Sequence, residues 1–114
     1  MITIPGKTPE MIANNLTPEN PTHPGEVLRE ELEERGITQT KLAAQIGVAV
    51  SLLNELVNGK RDFTIEYSLL LEAALGIDAD FWMNMQMAYN KNKAKRNSSF
   101  MSRLEQIRKI AAVL

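Results

Sequence analysis

Four glycines, Gly36, Gly47, Gly59 and Gly76, each close a stretch whose apolar residues recur with helical period, and this punctuation predicts a string of short helices. The most specific spacing lies between Thr38 and Arg61, TQTKLAAQIGVAVSLLNELVNGKR. Thr38 is a hydroxyl N-cap, and Leu42, Ala43 and Ile46 form one apolar face until Gly47 ends the helix. Val48 to Val50 make a turn. A second short helix starts at about Ser51 and buries Leu53, Leu56 and Val57 before Asn58-Gly59 stops it. Two short helices over a tight turn, the second presented outward, form a helix-turn-helix pattern.

The flanks extend the array. Upstream, a helix starts at His23-Pro24, where proline suits the first turn and Glu26 sits favourably in the macrodipole. Val27, Leu28 and Leu32 face inward. Glu30, Glu31, Glu33 and Glu34 form a solvated face or an attractor for a basic partner. Downstream, a fourth helix spans Thr64 to about Leu75, with Ile65, Leu69, Leu70, Ala73 and Ala74 as apolar positions. A fifth opens at Asp78, its cap, and carries Phe81, Trp82, Met85 and Tyr89 near helical spacing, with Phe81 and Met85 assigned to the core. Lys91 to Arg96 read as a linker or frayed helix end. A sixth helix, capped by Ser98 or Ser99, bears an amphipathic stripe of Phe100, Leu104, Ile107, Ala111 and Leu114. Residues 1–21 hold four of the five prolines and read as an arm, with a short strand over Met1 to Ile4 and Met11, Ile12 and Leu16 as pins or with no fixed structure. The class is all-α. The expected division is an arm over 1–21, a helix-turn-helix domain over 22–90, and a basic linker with an amphipathic helix over 91–114.

Composition narrows the function. A chain of 114 residues with no cysteine forms one core without disulfides or thiolate metal sites, which fits a reducing compartment. No apolar run reaches the roughly 20 residues of a membrane span, and the start MITIPGKTPE lacks signal-peptide regions, so a cytoplasmic protein is expected. The formal net charge of −1 conceals segregation: −4 over residues 1–35, +2 over 36–61, −5 over 62–90 and +6 over 91–114. A locally positive contact surface for nucleic acid is compatible with that distribution. His23, the single histidine, has no second imidazole to share a metal and suits the start of the first helix. No serine has a base beside it and no phosphate-cradling glycine loop is present, so neither an enzyme nor a cofactor is expected.

Gln39, Leu42-Ala43, Ile46-Gly47-Val48, Ser51, Leu53, Leu56 and Asn58-Gly59-Lys60 resemble the XRE, lambda-repressor-like helix-turn-helix. With Pro21-Thr22-His23-Pro24-Gly25-Glu26-Val27-Leu28-Arg29-Glu30-Glu31-Leu32 upstream and Phe81-Trp82-Met83-Asn84-Met85-Gln86 downstream, residues 21 to 90 are similar to HigA-type antitoxins. The resemblance implies a five-helix domain and an operon repressor that neutralises a toxin, typically an mRNA-cleaving ribonuclease of RelE fold encoded by a neighbouring gene. It places Val50, Ser51, Leu52, Asn54 and Glu55 at base edges, and Gln39, with Lys60 and Arg61, at phosphates. It also implies self-association through the fifth helix, with Trp82, Met83, Gln86 and Tyr89 at a homodimer surface. On charge, the toxin-facing part is the arm and first helix, with Glu30, Glu31, Glu33 and Glu34. Two positions depart from the pattern: Ala49 stands where a capping hydroxyl is usual, and Val50 where a polar base reader is common. A stand-alone XRE-type regulator, or an interaction module that has lost DNA binding, fits the same residues.

Overall fold

The computed structural model describes residues 22–113; the arm over 1–21, with its short strand, and Leu114 lie outside them. The described residues form six α-helices and no strand. In chain order they are α1 (Pro24–Arg35), α2 (Gln39–Ile46), α3 (Val50–Val57), α4 (Ile65–Leu75), α5 (Ala79–Lys95) and α6 (Ser98–Ala112). They fall into two compact units, one ending at Met87 and one starting at Ala88.

In the first unit α1 packs on α3, and α2 packs on both α3 and α4. Its core is Leu28 and Leu32 of α1, Leu42 and Ala43 of α2, Leu53, Leu56 and Val57 of α3, Phe63 of the connection that follows, Leu71 and Leu75 of α4, and Trp82 of α5. Thr38 and Asp78 cap their helices as expected, and Thr64, expected as the first residue of its helix, is its cap. Thr38 Oγ1 accepts from Lys41 N–H at 3.1 Å, Thr64 Oγ1 from Tyr67 N–H at 3.2 Å, and Asp78 Oδ1 from Asp80 N–H at 2.9 Å. Gly36, Gly47 and Gly76 end α1, α2 and α4 in left-handed conformation. Val27 and Ile46 only flank the core rather than entering it.

In this unit four expectations are corrected. The second helix of the motif starts one residue early, so Val50 is its first residue instead of the last of the turn. α4 turns Ser68, Leu71 and Leu75 inward and leaves Ile65, Leu69 and Ala73 outside, because apolar residues occur all round this helix and packing alone selects the face. On α5 the core residue is Trp82, at 0% exposure, while Phe81 is 40% exposed. Trp82 stacks on Phe63 with ring centroids 5.6 Å apart, and Phe81 meets its edge at 5.3 Å. Gln86 is likewise interior: its Oε1 accepts from Phe63 N–H at 2.8 Å and its Nε2 donates to Asp62 Oδ1 at 3.3 Å. Trp82 and Gln86 therefore close the core and are not at an exposed dimer surface; Met83 and Tyr89 remain half-buried.

In the second unit α5 continues as helix to Lys95, so the basic stretch is no linker. The cap of α6 is Asn97, whose Oδ1 accepts from Phe100 N–H at 3.0 Å, in place of Ser98 or Ser99. No residue of α6 is buried, and Phe100, Ile107 and Ile110 are exposed.

Candidate nucleic-acid interface

The position of α3 is set from below by a close helix contact. Gly25, in the first turn of α1, lies so near the end of α3 that a Cβ there would sit 2.1 Å from the carbonyl oxygen of Leu56 and 2.9 Å from that of Val57. His23 caps α1 by accepting Gly25 N–H on Nδ1 at 2.9 Å, and its ring meets the edge of Phe63 at 5.9 Å. Burial holds its imidazole below the ordinary value, against a smaller opposing pull from Asp62 and Glu26.

With Leu53, Leu56 and Val57 consumed by the core, the opposite side of α3 is free. Val50 (43% exposed), Ser51 and Asn54 lie on it. Leu52 does not join them fully, because it packs partly against the core. Ala49, the N-cap residue of α3, supplies no side-chain hydrogen bond, so the first N–H groups of this helix have no capping side chain.

The polar residues of the face are linked to one another. Arg29 Nη2 of α1 donates to Asn58 Oδ1 at 2.5 Å, Asn58 Nδ2 donates to Asn54 Oδ1 at 3.0 Å, and Asn54 Nδ2 donates to Gln39 Oε1 at 3.1 Å. Arg29 and Asn58 are not among the site residues expected from the sequence; Asn58 meets Asn54 at a separation of 4, but Arg29 reaches Asn58 across 29 residues of chain, which leaves no local pattern. A second pair removes two candidates from simple roles. Arg61 closes on Glu55 at 2.7 Å, and that hydrogen bond with its charge raises the guanidinium pKa further, an exposed contact that salt screens. Glu55 is thereby occupied as an acceptor, and Arg61 has its charge offset; Lys60 is exposed and forms no ion pair among the described residues.

Among the described residues no group of acidic, histidine or cysteine side chains is placed to hold a metal, and no helix is long and apolar enough to cross a membrane.

This arrangement defines a helix-turn-helix protein whose second motif helix is presented outward. The helix-turn-helix family matches over residues 28–82. Virulence-associated protein I of Dichelobacter nodosus is 41% identical over 76 residues, which cover 66% of this chain and 70% of that protein. Antitoxin HigA-1 of Vibrio cholerae is 34% identical over 93 residues, 77% of this chain and 88% of that one. Among solved structures, Pseudomonas aeruginosa antitoxin HigA with the higBA promoter superimposes with a TM-score of 0.63 at 30% identity, covering 77% of this chain and 91% of its own. The chain belongs to the HigA-type antitoxins of the XRE helix-turn-helix family.

Proposed function

We propose that this antitoxin represses its own operon by inserting α3 into the major groove of operator DNA, and that it neutralises an mRNA-cleaving toxin of RelE fold made from the neighbouring gene. The observation that carries the DNA reading is the division of α3 into a core side and an exposed side bearing Val50, Ser51 and Asn54. The solved HigA with promoter DNA is the relative that supports it. Ser51 and Asn54 are the base readers, Val50 faces a thymine methyl, and Gln39 and Lys60 hold phosphates. One eight-residue helix offers few contacts, so binding is by a two-fold dimer on half-sites about one helical turn apart, or a multiple of it. Met83 and Tyr89 stay as candidates for its contact surface. The exposed acids Glu30, Glu33 and Glu34 on α1 are the proposed toxin-facing groups, with Glu31 held beside Arg35 at 3.1 Å. Both activities belong in the cytoplasm.

A gel-shift titration on the DNA upstream of its own gene tests the first half: a shift at concentrations that leave unrelated duplex unbound is expected, and equal binding to both contradicts it. Co-purification with the tagged neighbouring gene product tests the second half. Capture that is lost when Glu30, Glu33 and Glu34 are reversed to Lys supports it; no capture leaves a stand-alone regulator.

A further inference from the structure

We infer that Arg29 is a positioning residue for sequence reading: acting through Asn58, it orients the side-chain amide of Asn54 so that Asn54 recognises an adenine. The inference rests on the reading of α3 as the DNA-contacting helix.

A guanidinium donates and never accepts, whereas an amide side chain can present either its oxygen or its nitrogen in the same place. Arg29 therefore requires the oxygen of Asn58 to face it, as observed at 2.5 Å. Asn58 is left with its nitrogen toward Asn54, so Asn54 must offer Oδ1 there, at 3.0 Å. That turns Asn54 Nδ2 toward Gln39, which must offer Oε1, at 3.1 Å. One donor on α1 thus settles three amide orientations in sequence, and the chain ends with Gln39 Nε2 as a donor at the start of α2, the sense a phosphate oxygen requires. Reversing any one amide would set two nitrogens or two oxygens against each other, and the adjoining charge strengthens the preferred sense.

The consequence for Asn54 is quantitative in hydrogen bonds. Its amide has two N–H groups and two lone pairs; the network takes one of each, leaving one donor and one acceptor. An adenine edge in the major groove offers N7 as acceptor and N6–H as donor, which matches that remainder. A guanine edge offers two acceptors and would leave the Asn54 lone pair facing an oxygen or a nitrogen. Without Arg29 the three amides can invert together, and the remainder of Asn54 loses its fixed direction.

The test is selection from a pool of random-sequence duplexes, sequenced after binding to the full chain, to Arg29→Met and to Asn58→Asp. Arg29→Met keeps the side-chain stem and deletes the donor; Asn58→Asp keeps the acceptor for Arg29 and deletes the donor to Asn54. The unaltered chain should enrich a motif with an adenine whose preference disappears in Asn54→Ala. At that position both network variants should lose about tenfold in preference over the other bases, while the slope of log affinity against log salt for Arg29→Met stays unchanged. A slope flattened by about 0.9 with the adenine preference intact makes Arg29 a phosphate ligand and overturns the inference. Retention of the full preference in both variants overturns it as well. If the unaltered chain enriches no motif, the DNA reading itself fails and takes the inference with it; enrichment without sensitivity to Arg29 removes the inference alone. Thermal melts of each variant separate loss of reading from loss of fold.

Discussion

The two sides of α3 are built on different terms. On the inner side, Leu53, Leu56 and Val57 are enclosed by other helices, and Gly25 lets the start of α1 approach the backbone at Leu56. On the outer side, Val50, Ser51 and Asn54 are open, and the polar residues meet only through side chains. Burial of apolar surface stabilises in proportion to area, whereas exposed hydrogen bonds exchange with water at little net gain. The inner side is therefore where stability resides. The outer side is left to be chosen for what it touches.

Changes that act on the inner side should be expensive in stability. The largest loss is expected for Trp82→Ala, which removes the ring stacked on Phe63 and should cost about 3–5 kcal/mol by the usual scale for buried aromatics. Calorimetry or denaturant titration measures it, and a folded variant that merely changes its association state would return Trp82 to the surface role. Gly25→Ala comes next. Its Cβ would collide with two backbone oxygens, which no rotamer can relieve, so α1 must withdraw from α3 at about 1–3 kcal/mol or more. A neutral Gly25→Ala would show that this approach does not hold α3 in place.

The uncapped start of α3 offers a change of opposite sign. Ala49→Ser supplies the missing side-chain acceptor and should add about 1 kcal/mol. Yet it adds nothing to the core, so a gain in melting temperature without a gain in DNA affinity is the expected pattern. The smallest effect is the response to pH through His23. Its folded pKa lies below 6.5, so between the two values the unfolded chain binds the extra proton. The associated stability is complete above the ordinary value and is lost as pH falls through it toward the folded one. Protonation of Nδ1 would also end its acceptance of Gly25 N–H. His23→Asn retains a cap acceptor without the titration, so melts between about pH 7.5 and pH 5.5 should lose this component in the variant; an identical pH response in both chains would assign it elsewhere.

Most helix ends were legible because their causes are local: Pro24 in a first turn, Thr38 as a hydroxyl cap, Asp78 as a carboxylate cap, glycines at the stops. Faces were legible only where apolar and polar residues separate cleanly, as on α2. On α4 a serine is inside and Leu69, 51% exposed, is outside, an inversion that follows from neighbouring helices rather than from the segment. Phe81 and Trp82 differ by one position on a helix whose apolar residues are not confined to one side, so Phe63, a residue with no periodic signal, decided which ring went in. Asn97, Ser98 and Ser99 are three capping types in a row. Of the outward residues, Val50, Ser51 and Asn54 followed from the motif. The Arg61 to Glu55 pair crosses a turn at a separation of 6, which is no helical spacing, and Arg29 reaches Asn58 across the fold.

The central claim is that the outer side of α3 reads base sequence while contributing little to the fold. The direct test is fluorescence anisotropy with the chain carrying Ser51→Ala and Asn54→Ala together, titrated on the DNA upstream of its own gene and on an unrelated duplex at one salt concentration. The account predicts a specific affinity lowered tenfold or more, a nearly unchanged non-specific affinity, and stability within about 0.5 kcal/mol of the unaltered chain. An equal loss on both duplexes, or no loss on either, would contradict it.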